Sequence, residues 1–123
     1  MDNTIIELVI FKAKAGVSQS SLMAAVKKTN PILQKMDGFL SRELSVTETG
    51  DKWADIVHWR NITSAKKASQ SFMNEPDCQE FISLIDETTM TLLNLVCFSA
   101  FYQELKGLKH LPDIALFTLL RYR

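Results

Sequence analysis

What this sequence has little of narrows its class before any pattern is read. It has two cysteines, Cys78 and Cys97, far apart and outside any metal-type spacing. Neither a disulfide framework nor a thiolate zinc site is expected, and both read as small buried apolar side chains in a reducing compartment. A basic surplus is also missing: Lys plus Arg and Asp plus Glu number 14 each, for a net charge of zero. Nucleic-acid surfaces carry such a surplus. Pairs such as Lys27-Lys28 and Lys66-Lys67 are too short to line a groove and read as solvated helix faces, so no nucleic-acid partner is expected. No apolar run reaches the roughly 20 residues of a membrane helix. Met1-Asp2-Asn3-Thr4 places no basic stretch ahead of Ile5. Neither a membrane span nor a secretory signal is therefore expected, and the cytoplasm is the default location. Nucleotide loops, nucleophile elbows, metal-ligand clusters and paired-carboxylate motifs are lacking as well, so no metal or cofactor is expected.

What remains is the material of one small globular domain. A chain of 123 residues, 46% hydrophobic and 23% charged, has enough apolar side chains for one core. Residues 5–14 are β-branched and aromatic and read as a strand, with Glu7, Val9, Phe11 and Ala13 on one face and Ile6, Leu8, Ile10 and Lys12 on the other. Ser18 suits a helix N-cap, and Leu22, Ala25, Val26 and Thr29 follow at helical spacing. Pro31 favours a break, with Asn30 capping a second short helix that carries Ile32, Leu33 and Met36; a kinked continuous helix is the rival. Asp37-Gly38 ends either one. Residues 39–48 alternate, with Leu40, Arg42, Leu44 and Val46 opposite Phe39, Ser41, Glu43 and Ser45. Thr49-Gly50-Asp51-Lys52 then turns the chain into a returning strand over residues 53–60. Thr63 is the expected cap of the next helix, carrying Ala65, Ala68 and Phe72, which Asn74-Glu75-Pro76 stops. Residues 77–86 resume a helical pattern through Phe81, Leu84 and Ile85, and residues 88–98 form a fourth strand, apolar on both faces.

This order, β-α-β-β-α-β, is the ferredoxin-like arrangement: an α+β fold with a four-stranded antiparallel sheet and two helices on one face. The open face of such a sheet should be polar, yet the first and fourth strands are apolar throughout. A second copy of the sheet is the simplest cover, giving a homodimer through the sheet face. The competing cover is the chain's own tail. Residues 1–98 thus form the domain, and residues 99–123 an apolar extension whose run 114–120 would be an aggregation hazard if left exposed.

Glu7–Lys14 (ELVIFKAK), Asp37-Gly38-Phe39 at the start of a strand, the run from Trp53 to Trp59 (WADIVHW) and Ser64-Ala65 in the helix beyond it together resemble the dimeric α/β-barrel superfamily, in its antibiotic-biosynthesis-monooxygenase-like branch. The resemblance spans residues 5–98 and implies two sheets joined into a barrel with a pocket in each subunit. Members include cofactor-free oxygenases acting on polycyclic phenols and haem-degrading enzymes. The latter place a tryptophan where Trp59 stands, but take an iron ligand from a histidine in the helical region that follows. Residues 63–86 contain no histidine, which argues against haem.

The candidate site residues follow from alternation. Trp53, Asp55, Val57 and Trp59 share one face of the third strand, and Ile56, His58 and Arg60 the other. Trp59, by the resemblance, faces the helices and the pocket. Asp55 and His58 are the candidate catalytic bases. For Asp55 a structural ion pair with Arg42 competes and is favoured; for His58 the favoured alternative is a histidine satisfied within the barrel. Glu7 and Asn94 are polar residues embedded in apolar strands, and with Trp59, Arg42 and Phe72 they complete the candidate ligand-binding set. The expected function is binding of a small apolar or aromatic ligand, with a cofactor-independent monooxygenase acting on a phenolic compound as the catalytic form and a non-catalytic ligand-binding or stress-response dimer as the alternative.

Overall fold

The computed structural model describes residues 3–101. The elements run β1 (Ile5–Ala13), α1 (Gln19–Gln34), β2 (Phe39–Val46), β3 (Trp53–Trp59), α2 (Ile62–Asn74), a 3₁₀ turn (Pro76–Cys78), α3 (Gln79–Leu84) and β4 (Ile85–Val96). The four strands form one antiparallel sheet in the order β2-β3-β1-β4. This is the ferredoxin-like α+β arrangement, with α3 and its 3₁₀ turn added before the last strand. The expected packing of the 99–123 extension falls, beyond Phe101, outside the described residues.

Local chemistry explains most of the boundaries. Ser18 caps α1, its Oγ accepting from the Ser21 amide at 3.1 Å. Contrary to the expected break, α1 runs unbroken through Pro31. Proline removes one amide donor in the fourth turn, yet Leu22, Ala25, Val26, Thr29 and Leu33 all lie buried along one stripe, and this packing outweighs the local preference for a new start. The cap of α2 is Asn61 rather than Thr63: Asn61 Oδ1 accepts from the Ser64 amide at 2.9 Å. The helical pattern expected over 77–86 stops at Leu84, because Ile85 is already paired with Ala13 in the sheet.

Two irregularities shift which side chains share a face. Phe39 pairs with Trp59 but Ser41 pairs with His58, so Leu40 is extra. Phe39 thereby joins Arg42 on the helix-facing side, against the simple alternation expected, and its ring meets Trp59 edge-on at 5.8 Å. In β4, Asp86 lies opposite Lys12 and Thr91 opposite Ile10. Five steps on β4 thus match two on β1, a bulge with three extra residues. Thr89 supplies what the ladder loses there, its Oγ1 accepting from the Lys12 amide at 2.9 Å and donating to the Asp86 carbonyl at 2.7 Å. An odd insertion reverses the alternation, so both Ile85 before the bulge and Leu92 after it point toward the helices.

The core lies between sheet and helices as two clusters. One gathers Phe11, Leu22, Ala25, Val26, Trp53, Phe81 and Ile85; the other Ile5, Leu33, Val57, Trp59, Ala65 and Ala68. Phe72 packs against both. Among the described residues the opposite sheet face has no such cover. Ile6, Leu8, Ile10 and Ile56 are only partly buried there, while Leu93 and Leu95 on β4 are 46% and 42% exposed.

Candidate functional site

Where the two core clusters fail to meet, a cavity of about 530 Å³ opens between the sheet and helices α2 and α3. Val9, Val57, Trp59, Phe72, Phe81 and Ile82 make its walls mostly apolar, and Met90 and Leu92 of β4 bound one side. Its size and apolar lining are those of a small-molecule site. Polar groups from β1, β2, β3 and α2 form two separate constellations, and Glu87 of β4 adds a further carboxylate to the lining.

The first is an ion pair. Arg42 on β2 grips Asp55 on β3 with two parallel bonds, Nε to Oδ1 at 2.9 Å and Nη2 to Oδ2 at 2.7 Å. The side chains are only 6% and 9% exposed. The other terminal nitrogen, Nη1, reaches α1, donating to Thr29 Oγ1 at 2.6 Å and Asn30 Oδ1 at 3.0 Å. Thr29 in turn donates to the Val26 carbonyl at 2.6 Å. The guanidinium also stands 5.8 Å from the centre of the Phe81 ring. A buried charge requires such compensation. Asp55 lines the cavity, but both its oxygens are committed to Arg42, so its geometry is that of a structural partner rather than a free base.

The second constellation centres on Glu7. Its Oε1 accepts from the Trp59 indole Nε1 at 3.2 Å and its Oε2 from Ser69 Oγ at 2.8 Å. Glu7 is 9% exposed and lines the cavity with both donors. Both partners are neutral. A carboxylate has about four lone-pair sites, so acceptor capacity remains on the cavity side, and among the described residues no cation pairs with it.

The strands bring five of the seven candidate residues, Glu7, Arg42, Asp55, Trp59 and Phe72, to one cavity. The other two stand apart. His58 lies on the opposite sheet face, between Ile6 of β1 and Ser41 of β2. Burial there pushes its pKa below the usual histidine value, with the nearby Glu43 carboxylate acting in the opposite sense. It cannot share a substrate with Trp59. Asn94 sits across from Glu7 in the β1–β4 register but is exposed and outside the cavity lining. Ser69 escaped the sequence reading. It continues the Ala65, Ala68, Phe72 stripe of α2 one position on, and a polar residue on that inward stripe is the signal that marks it. Among the described residues no group of three or more His, Cys, Asp or Glu side chains could hold a metal ion, and no helix is long and apolar enough to cross a membrane.

A ferredoxin-like sheet backed by helices, with an apolar cavity lined by a carboxylate and an indole, defines the class as an α+β domain of ferredoxin-like fold. Solved structures that share this fold include proteins named as cofactor-independent oxygenases and antibiotic biosynthesis monooxygenases. The chain is similar to a substituted variant of SnoaB, a cofactor-independent oxygenase from Streptomyces nogalater, with a TM-score of 0.65 and 10% identity over 82% of this chain and 99% of that one. It is similar to Rv0793 from Mycobacterium tuberculosis, with a TM-score of 0.61 and 13% identity over 80% of this chain and 99% of that one. A protein assigned to antibiotic biosynthesis monooxygenases, from Chloroflexus aurantiacus, matches with a TM-score of 0.59 and 17% identity over 80% of this chain and 97% of that one. At such identities the likeness is one of fold. No family model and no curated protein matches the sequence.

Proposed function

We propose that this chain is a homodimeric, cofactor-independent monooxygenase whose cavity holds a phenolic aromatic compound. The observation that carries the reading is the Glu7 carboxylate, buried on the floor of an apolar cavity and held by two neutral donors, Trp59 and Ser69. Fold supports it in the same direction, since SnoaB is a cofactor-independent oxygenase, but fold alone does not carry function.

In this mechanism the substrate hydroxyl donates to the open side of Glu7, which takes its proton. The resulting phenolate is electron-rich enough to reduce dioxygen directly. One oxygen atom enters the ring carbon, which becomes a carbonyl, and the other leaves as water with two hydrogens from the substrate. The four electrons lost by the substrate balance the reduction of dioxygen. Trp59 and Ser69 fix the carboxylate in place, and the apolar walls exclude bulk water from the reactive phenolate. Asp55, bound at both oxygens by Arg42, orients the wall and leaves the proton transfer to Glu7.

The test is dioxygen uptake with a panel of polycyclic phenols, comparing the protein with Glu7→Gln. The substitution keeps shape and removes the base, so turnover should fall about 10²-fold or more, while binding of the same phenols changes far less. Undiminished turnover would overturn the assignment of Glu7. Tight binding without uptake across the panel would replace the enzyme by a non-catalytic binding dimer.

A further inference from the structure

The charges around the cavity do not cancel. Among the described residues four ionisable side chains line it: Glu7, Arg42, Asp55 and Glu87. Arg42 and Asp55 neutralise each other through two short bonds. Glu7 on the floor and Glu87 at the rim are left, and among the described residues neither has a cationic partner. Apolar walls of low polarisability make that surplus felt across the cavity more strongly than it would be in water. Aromatic faces there, Trp59, Phe72 and Phe81, add an attraction for cations and none for anions.

The two carboxylates are also spaced. Glu87 follows Asp86, which lies opposite Lys12, and Lys12 is five residues beyond Glu7 on β1, roughly 16 Å at about 3.3 Å per residue. The bulge in β4 turns both Glu87 and Met90 toward the cavity. One end of a long ligand would thus meet Glu7 at depth while the other meets Glu87 at the solvent-exposed mouth.

We propose that the cavity selects phenolic aromatics carrying a basic nitrogen at the end remote from the phenol: the hydroxyl seats on Glu7, the ammonium lies at Glu87, and acidic aromatics are rejected. This specificity rests on the reading of the cavity as the ligand site. Among the described residues the cavity has one cation, Arg42, and Asp55 engages it, leaving none there to receive an anionic substrate.

Isothermal titration with a matched trio separates the possibilities. The three ligands share one fused-ring phenol and carry, at the remote end, an aminomethyl, a hydroxymethyl or a carboxylate group. At low salt the amine should bind about fivefold tighter than the neutral member and the acid weaker than either. The preference should shrink at 0.5 M salt, as expected of a rim charge within reach of solvent. Glu87→Gln should bring the three affinities within about twofold of one another. Equal affinities for the trio in the unaltered protein, or tightest binding of the acid, would overturn the specificity while leaving the cavity reading intact. If none of the three binds, the cavity reading fails and takes this inference with it.

Discussion

Asp55 and Arg42 hold the cavity wall by a pairing that neither residue can leave without cost. A guanidinium 6% exposed, tied to its carboxylate and to Thr29 and Asn30 of α1, links β2, β3 and α1 through one side chain. Asp55→Ala would strand that positive charge in the interior. The expected loss is about 3–5 kcal/mol of unfolding free energy, read from chemical denaturation. Arg42→Met combined with Asp55→Ala should lose less than the two single changes summed, because neither charge is then left alone. A double variant as unstable as that sum would mean that the pair does not act as a unit. The sequence offered Arg42 as a possible partner of Asp55 on the neighbouring strand, but the register that brings them together is set by the strand pairing and its shift at Leu40. The Glu7 arrangement was legible only in part. A carboxylate amid Ile, Leu and Val advertises itself, but Ser69, one of its two donors, is a small residue in a helix with several other serines.

At the scale of elements, the joints carry the information that periodicity missed. Gly38, between α1 and β2, has φ of +81° and faces Ser64 of α2 at a distance that leaves no room for a Cβ. Gly38→Ala therefore meets two penalties. The backbone conformation alone should cost about 1–2 kcal/mol, and the clash with Ser64 Cβ and Oγ adds to it. Thermal unfolding of Gly38→Ala and of Gly38→Ala with Ser64→Gly separates these, the second change relieving the clash and leaving the backbone term. Equal destabilisation in both would show that the approach of α2 is not the constraint. The unbroken course of α1 through Pro31 and the bulge in β4 share one reason for being hidden. Each is set by packing or by partner-strand register, and a local reading weighs only propensity. The Asn61 cap is different, since asparagine outranks threonine at that position and local preference already favoured it over Thr63.

For the whole molecule, the sheet's second face governs behaviour. Ile6, Leu8, Ile10, Ile56, Leu93 and Leu95 form an apolar surface that no helix among the described residues covers, and a surface of that kind favours association. The homodimer we propose would bury it. Sedimentation at dilute concentration should give twice the mass of one 14.0 kDa chain, and Leu93→Lys, which sets a charge on this face beside Leu8, should give the single-chain mass with the fold retained by circular dichroism. A folded monomer in the unaltered protein would exclude the partner sheet as the cover. The double-sided apolar pattern was readable from the first and fourth strands alone. Alternation along β3 likewise separated His58, which sits within this face, from Trp59, which lines the cavity.

The bulge in β4 has a bearing on how such a domain diversifies. Hydrogen bonds on either side of it, from Ile85 opposite Ala13 and from Thr91 opposite Ile10, anchor two stretches of strand separately. Chain length between those anchors is therefore decoupled from the facing of the residues beyond them. Residues gained or lost between Asp86 and Thr91 would remodel the rim around Glu87 and Met90 without turning Leu92 away from the cavity or disturbing Glu7 beneath it. The fold thus offers a variable lip on an invariant basin, where new preferences among ligands can be tried without rebuilding the chemistry at the bottom.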